Sequence, residues 1–308
     1  MPSLSHLIEE ELPSGFRLDR YVAEYLRVLS RSQIKVRRLE GFVNSKKVKL
    51  SCPVSQGDKL GITWNEAETT ELVPEDISLD ILYEDGQAVV VNKPQGMVVH
   101  PGAGNCRGTL ANALYARQIH SENIFPAGLR PGIVHRLDKD TSGVIIAAYT
   151  EAAHVFLSDQ FKAHSVKKTY IALVKGRVEN DNGRIETMIA RDTRNRKLFA
   201  VSDRGKTALT RYRVLRRWNN HSLVLLRPHT GRTHQLRVHM KYTGHAITGD
   251  PLYSAPDSAF PSATLMLHAL RLEITLPSGS ENQIFSAPLP ERFITMIRAL
   301  DGKAGGMT

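Results

Sequence analysis

The apolar positions near the start of this chain are spaced as they would be on helices. Over residues 17–29 they recur every three or four residues, which places them along one side of a helix. They are Leu18, Tyr21, Val22, Tyr25, Leu26 and Leu29. A second short helix is predicted over residues 30–41, with Ser30 or Ser32 as its N-cap and Gly41 as its C-terminal stop.

Short apolar runs that predict strands follow these helices. FVNSKKVKL (42–50) predicts a hairpin, and Gly57-Asp58 turns the chain into KLGITW (59–64). From residue 81 onward strand-like runs dominate, and the turn Asp85-Gly86 separates the first two of them. These runs are ILYE (81–84), AVVVNKP (88–94), GVIIAAYT (143–150), KTYIALVKG (168–176), ALTRYRVLRRW (208–218) and HSLVLLRP (221–228).

Helices in this larger part of the chain are predicted over residues 109–118, 151–163 and 233–243. Strands outnumber helices, and the two do not follow a regular βαβ rhythm. The pattern therefore favours the α+β class with a mainly antiparallel sheet.

The 308-residue chain is long enough for one large domain and one smaller domain. Residues 64–80 carry six acidic side chains and no basic one, which predicts a linker. The expected organisation is a small N-terminal domain over residues 14–63 and a large domain over residues 81–300.

The distribution of charge favours a polyanionic partner. The chain has a net charge of +10, and residues 14–60 hold eleven Lys or Arg against four Asp or Glu. Such a run can be an ordinary solvated helix face, but its concentration in one small unit favours a surface that binds nucleic acid. The candidate RNA-contacting side chains there are Arg17, Arg20, Arg31, Lys35, Arg37, Arg38, Lys46 and Lys47.

Several classes of protein are disfavoured by the same sequence. Cys52 and Cys106 form no C-x-x-C pair, which fits a reducing compartment and argues against a thiolate zinc site. The first fifteen residues lack the basic and apolar regions of a signal peptide. No run approaches eighteen apolar residues. The expectation is a cytoplasmic protein without a membrane partner.

Two features could indicate a cofactor or a metal, and neither has the required spacing. The glycines of residues 102–108 follow G-x-G-x-x-x-G, not the G-x-G-x-x-G of a dinucleotide loop. His229, His234, His239 and His245 have no carboxylate or cysteine partner at metal-binding spacing. We expect neither a cofactor nor a metal.

The helix predicted from Thr233 leaves two interpretations open. Leu236 and Met240 would form its buried side, with His234 and Arg237 three residues apart on a neighbouring face. It is either a capped amphipathic helix with hydrogen-bonded histidines or a helix that directs a cation into a site.

The stretch HRLDKDTSG (135–143) places charged side chains directly before a buried strand. It is either a solvated turn or a site in which one carboxylate does chemistry. A glycosidase needs two carboxylates across one bond, and Asp140 lies too near Asp138 in sequence to serve well as the second. One carboxylate, several arginines and a tyrosine suit an Asp that acts on a glycosidic centre of a phosphate-bearing substrate. The candidate partners of Asp138 are Arg136, Arg232, Arg237 and Tyr170.

HRLDKDTSG closely resembles the signature of the RluA-type RNA pseudouridine synthases, and further blocks of that family follow in family order. The N-terminal unit resembles an S4 RNA-binding domain, and VVHPGAGN (98–105) beside it most resembles the RluD subgroup. The blocks are NKPQGMVVHPG (92–102), KKTYIALVKG (167–176), GKTALTRYRVL (205–215), TGRTHQLRVH (230–239), GHAITGDPLY (244–253) and LHALRLEI (267–274). One departure is Ser45, where the S4 hairpin usually has Gly, so a different turn type is expected.

This resemblance implies a pseudouridine synthase fold with an added S4 domain of the α-L type. It also implies isomerisation of uridine to pseudouridine, in which the N1–C1′ bond breaks and C5 joins C1′, without a cofactor. It makes Asp138 the catalytic carboxylate and places Tyr170 against the target base. Arg237 pairs with Asp138 and keeps it ionised, while Arg136 fills the space of the flipped nucleotide. Whether Asp138 attacks C1′, adds to the base or removes a ribose proton stays open.

By the same resemblance Arg232 and His234 contact RNA. The implied partner is large-subunit rRNA or a ribosomal assembly intermediate, bound by a monomer. The alternative function is a catalytically silent S4-type protein that binds rRNA or assists ribosome assembly. A metal-dependent nuclease is disfavoured because the sequence offers no carboxylate cluster.

Overall fold

The structure is a computed structural model of the 308-residue chain. It describes residues 1–29, 33–34, 37–65, 72–102, 105–118 and 132–305. The chain divides into two compact units, Met1–Thr70 and Glu71–Thr308. The division falls within the acidic stretch 64–80, where a linker was expected.

The first unit is a small antiparallel sheet with one short described helix. The sheet order is β1-β4-β2-β3, and α1 packs its buried face, including Tyr21, into the unit's own core. The pairing of β1 with β4 includes residues that precede the expected domain start at residue 14. The elements are β1 (Ser3–Leu7), α1 (Leu18–Glu24), β2 (Glu40–Val43), β3 (Lys46–Val48) and β4 (Lys59–Thr63).

The helix predicted over residues 17–29 is shorter in the structure and ends at Glu24. Arg27 has φ 53, a left-handed conformation that cannot continue a right-handed helix. Tyr25 is consequently exposed, although Leu29 still reaches the core. Apolar spacing alone therefore overestimated the length of this helix.

The prediction that Gly41 ends a second helix is wrong, because Gly41 lies within β2. A β-carbon there would lie 2.4 Å from Cδ2 of Leu18, so a larger residue in β2 would require the Leu18 side chain to shift. Of the predicted helix 30–41, the structure describes residues 33–34 as helical, whereas Arg31 and Lys35 lie outside the described residues.

The hairpin between β2 and β3 is confirmed, but the expectation about its turn is wrong. Asn44 and Ser45 have φ values of 48 and 67, the left-handed pair that defines a type I′ turn. Asn44 supports it, because its Oδ1 accepts the N–H of Lys59 at 2.9 Å and its Nδ2 donates to Asp58 at 2.8 Å. These bonds stabilise a backbone conformation that Ser45 disfavours.

The second unit is built on a ten-stranded sheet in the order β10-β9-β11-β12-β8-β13-β7-β6-β5, with β14 paired to β13. The pair β7 and β13 is parallel and the other named pairs are antiparallel. The strands are β5 (Ile81–Glu84), β6 (Ala88–Lys93), β7 (Ser142–Ala148), β8 (Lys167–Lys175), β9 (Asn182–Arg191), β10 (Phe199–Val201), β11 (Lys206–Arg217), β12 (His221–Pro228), β13 (Leu267–Thr275) and β14 (Asn282–Ser286).

Helices cover both faces of this sheet. Val89 and Val91 of β6 share an apolar cluster with α2, whereas Val90, which points the other way, shares one with α3. The helices are α2 (Leu110–Gln118), α3 (Glu151–Lys162), α4 (Gln235–Tyr242) and α5 (Glu291–Gly305). The predicted α+β class with a mainly antiparallel mixed sheet is confirmed.

The strand register brings the sequence blocks of interest to one place. Lys93 at the end of β6 lies opposite Gly143 at the start of β7. Ser142 of β7 pairs with His268 of β13, and the next residue of β13, Ala269, lies opposite Tyr170 of β8. The stretch 135–141 therefore enters the sheet beside Tyr170.

Candidate active site

The start of β7 determines where the loop that carries Asp138 leaves the sheet. Gly143 has φ 113, and a β-carbon there would lie 2.2 Å from the carbonyl oxygen of Ala269. Only glycine allows β7 and β13 to approach so closely. Before it, the N–H of Thr141 donates to the carbonyl of Asp138 at 3.1 Å and closes a turn. Asp138 therefore lies in a turn at the entrance to β7.

A buried lysine holds the other side of that loop. The ammonium of Lys93 donates to the carbonyls of Pro94 and Met97, both at 2.8 Å, and of Lys139 at 3.1 Å. Burial lowers the pKa of Lys93 to about 7, opposed by the charges of Asp140 and Asp138. Sequence reasoning missed this role, although a lysine that ends the apolar run AVVVNK was an available signal.

A glutamine two residues later adds further support. Nε2 of Gln95 donates to the carbonyls of Asp140 at 2.9 Å and Leu265 at 3.0 Å. The N–H of Gly96 donates to the carbonyl of Lys139 at 2.9 Å. The backbone that follows Asp138 is thus held by the segment that follows β6.

Asp138 faces one arginine directly. Nη1 of Arg237 lies 3.2 Å from Oδ2 of Asp138, whose side chain is 20% exposed. This pairing was expected from the family resemblance. The Arg237 side chain is buried and holds one edge of the Asp138 carboxylate. The rest of the carboxylate faces a cleft that Arg136 and His234 also line.

The principal partner of Arg237 is a carboxylate that sequence reasoning did not single out. Nε and Nη2 of Arg237 donate to Oδ2 and Oδ1 of Asp250, both at 2.7 Å. Asp250 also accepts the N–H groups of Leu252 and Tyr253. Burial disfavours the charged guanidinium, but hydrogen bonds and charge from Asp250, and then Asp138, raise the pKa of Arg237. Asp250 therefore fixes the plane of the cation that Asp138 meets.

Helix α4, which carries Arg237, is buried on more than the side formed by Leu236 and Met240. All six residues from Gln235 to Met240 are buried, because the helix packs into a polar and apolar interior. Both open interpretations describe part of it. His239 is hydrogen-bonded to Thr210 and Thr187, and Arg237 is directed into the site.

His234 lies in a left-handed turn before α4, with φ 56. Its Nδ1 is 2.8 Å from the hydroxyl of Tyr253, which accepts the N–H of Phe199 at 2.8 Å. Burial lowers the pKa of His234, with a smaller opposing effect from Asp138. This favours the neutral ring, which lies at the edge of the cleft.

The remaining predicted side chains also reach the cleft. Burial, and then the charge of Asp138, raise the pKa of Tyr170, so its phenol stays protonated. Arg136 is exposed, and Nε of Arg232 donates to the carbonyl of Thr207 at 2.9 Å. His135 instead has a structural place, since its Nε2 accepts the N–H of Ile146 at 3.0 Å.

These side chains surround two adjoining hollows of about 460 and 660 Å³. Such volumes suit a small ligand or a single nucleotide. The charged and polar side chains that line both hollows are His135, Arg136, Asp138, His234 and Arg237. Among the described residues, no group of three or more His, Cys, Asp or Glu side chains could hold a metal ion.

Residues 87–242 match the family model described as RNA pseudouridylate synthase. This chain belongs to that family. It is 44% identical over 292 residues to ribosomal large subunit pseudouridine synthase D of Borreliella burgdorferi, covering 92% of this chain and 89% of that protein. It is also 40% identical over 306 residues to the protein of the same name from Neisseria meningitidis serogroup A, covering 95% of this chain and 80% of that protein.

Solved structures support the same assignment. Human RNA Pseudouridylate Synthase Domain Containing 4 superimposes with a TM-score of 0.59 at 26% identity, covering 72% of this chain and 93% of that one. The protein is an RNA pseudouridine synthase of the RluA type and resembles the RluD subgroup. The family match includes Asp138, Tyr170 and Arg237, whereas Asp250 lies beyond its end.

The candidate RNA-binding side chains of the first unit differ in their surroundings. Arg17, Arg20 and Lys47 form ion pairs with Asp19, Glu24 and Glu40. Arg38 and Lys46 are exposed, Arg37 is half-buried, and none of these three ion-pairs with an acid in the described part of the unit. No helix among the residues that the structure describes is long and apolar enough to cross a membrane.

Replacement of Asp250 by Ala is expected to lower the free energy of unfolding by about 3–5 kcal/mol, because it leaves the buried guanidinium of Arg237 without its bidentate partner. Urea denaturation measures this loss. The matched control is Asp181→Asn, which breaks the pair with Arg217 at an exposed carboxylate and is expected to cost at most about 1 kcal/mol. Equal losses in the two variants would contradict the assigned role of Asp250.

Proposed function

We propose that this pseudouridine synthase modifies uridines in a stem-loop of large-subunit rRNA, with Asp138 as its catalytic carboxylate. The observation that carries the proposal is the geometry of Asp138, which meets a fixed arginine on one side and an open cleft on the other. The other carboxylate bonded to that arginine, Asp250, is 2% exposed and fully engaged. Asp138 is thus the carboxylate of this pair that a substrate can reach.

The proposed reaction begins with the Asp138 carboxylate held beside the cation of Arg237. An attack on C1′, addition to the base and removal of a ribose proton each require a carboxylate lone pair aimed into the cleft. The N1–C1′ bond breaks, the uracil turns, and C5 bonds to C1′. The C5 proton is released to solvent, and N1 acquires a proton. This release provides the assay.

A uridine stacked in a stem-loop cannot reach Asp138 unless it flips out of the stack. Flipping costs a few kcal/mol, which contacts in the cleft must offset. We assign Tyr170, a neutral phenol on the wall of the cleft, to contact with the flipped base. Arg136, exposed at the same wall, would occupy the space that the nucleotide leaves. Arg232 and His234 would contact the adjoining RNA.

The relatives support the proposed RNA target. Two of them carry the name ribosomal large subunit pseudouridine synthase D, and their alignments cover at least 80% of their own lengths. The test uses transcripts of large-subunit and small-subunit rRNA labelled with tritium at C5 of uridine. We expect tritium release from the large-subunit transcript. Release confined to the small-subunit transcript would contradict the assignment.

We further propose that the first unit is the S4-like RNA-binding domain of the protein. Deletion of residues 1–70 is expected to weaken RNA binding and to flatten its salt dependence, because fewer phosphates are neutralised. The slope of log affinity against log salt concentration measures the effect, and circular dichroism checks that the remaining unit is folded. A slope equal to that of the full chain would show that this unit does not bind phosphates.

A further inference from the structure

A second basic surface lies in the larger unit, on the hairpin that joins β9 to β11 through β10. Residues 191–206 hold six cationic side chains against the acids Asp192 and Asp203. All six cations are exposed. They are Arg191, Arg194, Arg196, Lys197, Arg204 and Lys206.

The backbone of this hairpin is held by its own hydrogen bonds. The carboxylate of Asp192 accepts the N–H groups of Arg194 at 2.7 Å and Asn195 at 2.8 Å. Nη1 of Arg191 donates to the carbonyl of Arg196 at 2.6 Å, and the Arg191 guanidinium lies over the ring of Phe199. The turn is therefore ordered by Asp192 and Arg191, which leaves the side chains of Arg194, Arg196 and Lys197 available for other contacts.

Some exposed cations elsewhere in the unit are neutralised by ion pairs, whereas others among the described residues, such as Arg211 and Arg213, are not. Lys167 and Arg217 ion-pair with Glu273 and Asp181, and Arg184 pairs with Glu186. In the described part of the chain, none of the six hairpin cations forms an ion pair. Such a concentration of unpaired positive charge is the electrostatic footprint of a polyanion site.

The hairpin adjoins the cleft through two aromatic side chains. The N–H of Phe199 in β10 donates to the hydroxyl of Tyr253, which is bonded to His234 at the edge of the cleft. The guanidinium of Arg237 lies 5.1 Å from the centre of the Tyr253 ring. Tyr253 therefore contacts both β10 of the hairpin and the arginine that pairs with Asp138.

We infer that this hairpin is a second phosphate-binding surface, which contacts the backbone of the RNA flanking the flipped uridine. The inference rests on the proposed function. RNA fits better than an acidic protein partner, because protein interfaces are centred on apolar and aromatic anchors and are depleted of charge at their core. Phe199, the aromatic side chain of the hairpin, is already packed beneath Arg191 and beside His234. The surface is instead dominated by exposed positive charge, which binds the phosphates of a nucleic-acid backbone.

The test compares two full-length variants with the same loss of charge. The hairpin variant carries Arg194→Gln, Arg196→Gln, Lys197→Gln and Arg204→Gln. The control variant carries four substitutions at exposed, ion-paired cations: Arg117→Gln, Lys167→Gln, Arg184→Gln and Arg216→Gln. Equilibrium binding of a large-subunit rRNA stem-loop is measured across a salt series, beside the single-turnover rate with saturating enzyme and the thermal unfolding midpoint.

We expect the hairpin variant to bind at least about tenfold more weakly than the control variant at 0.1 M salt. Its salt slope should fall by about three, since each lost phosphate contact removes about 0.7–0.9. Its single-turnover rate at saturation should stay within about twofold of the wild-type rate, because the cleft is intact. Binding and slope equal to those of the control variant would overturn the inference. So would a collapsed rate at saturation with normal affinity.

The wild-type protein separates this inference from the function on which it rests. If the wild type releases no tritium from any rRNA transcript, the proposed function fails whatever the hairpin does. If the wild type is active and the two variants are indistinguishable, only the phosphate-binding surface is wrong. A double variant, Arg194→Gln with Lys197→Gln, should show about half the change in salt slope. If the quadruple variant does not fold, the double variant still tests the inference.

Discussion

Asp138→Asn is expected to lower the single-turnover rate of pseudouridine formation by at least about a thousandfold, which is about 4 kcal/mol of transition-state stabilisation. Asn has nearly the same shape and can still accept the hydrogen bond from Nη1 of Arg237. It lacks the charge and the basic lone pair that the proposed chemistry requires. RNA binding should stay within about threefold of the wild-type value, since Asp138 contributes no positive charge to the surface.

The matched control is Asp140→Asn, two residues further along the same loop. The contact of Asp140 that supports the loop is its backbone carbonyl, which accepts from Gln95 and is unaffected by the substitution. We expect Asp140→Asn to lower the single-turnover rate by less than about tenfold. Tritium release from C5-labelled RNA, with enzyme in excess, measures both variants. Retained turnover in Asp138→Asn would move the chemistry elsewhere, and equal losses would revive a mechanism with two carboxylates.

Arg237→Met is expected to lower turnover of the bound complex by at least about a hundredfold while leaving RNA affinity near normal. The substitution leaves Asp138 and Asp250 as neighbouring carboxylates without the cation that both contact. The two carboxylates then repel each other, and Asp138 loses the group that fixes its orientation. The single-turnover rate at saturating enzyme, measured beside equilibrium RNA binding, separates this loss from a loss of affinity.

Arg237→Met is also expected to destabilise the fold, because it leaves the buried carboxylate of Asp250 without its cation. The double variant Arg237→Met with Asp250→Asn removes that buried charge and should recover part of the stability but none of the turnover. Arg237→Lys keeps one positive charge but loses the planar group that reaches Asp250 and Asp138 together. Its turnover rate should therefore lie between those of the wild type and Arg237→Met. A normal rate for saturating Arg237→Met would contradict the ion-pair role.

The elements that the sequence predicted well are those with strong local patterns. The buried strand β7 and the helices α2 and α3 agree with the predicted ranges to within one or two residues. Strand β9 was missed, because only Ile185 and Ile189 of its ten residues are buried. Apart from the exposed Met188, its remaining positions are charged, polar or small, so its conformation depends on pairing with β11 and β10 rather than on local pattern.

The part of the site that sequence reasoning missed depends on contacts between distant segments. Asp138 and Arg237 were identified from motifs, but their distance of 99 residues along the chain made the contact an inference from family resemblance. Asp250 follows a turn and has no periodic signal, so its bidentate bond to Arg237 became apparent only in the structure. The position of Lys93 at the end of an apolar run was visible in the sequence, but its role was not, because its three acceptors are backbone carbonyls of a distant segment and of the following turn.

The central claim is that this chain forms pseudouridine in large-subunit rRNA by means of Asp138. The most direct measurement maps pseudouridines in that rRNA from cells that lack the gene, complemented with either the wild-type protein or Asp138→Asn at equal abundance. We predict that specific pseudouridines disappear with the gene, return with the wild-type protein and stay absent with Asp138→Asn. An unchanged map without the gene, or a map restored by Asp138→Asn, would contradict the claim.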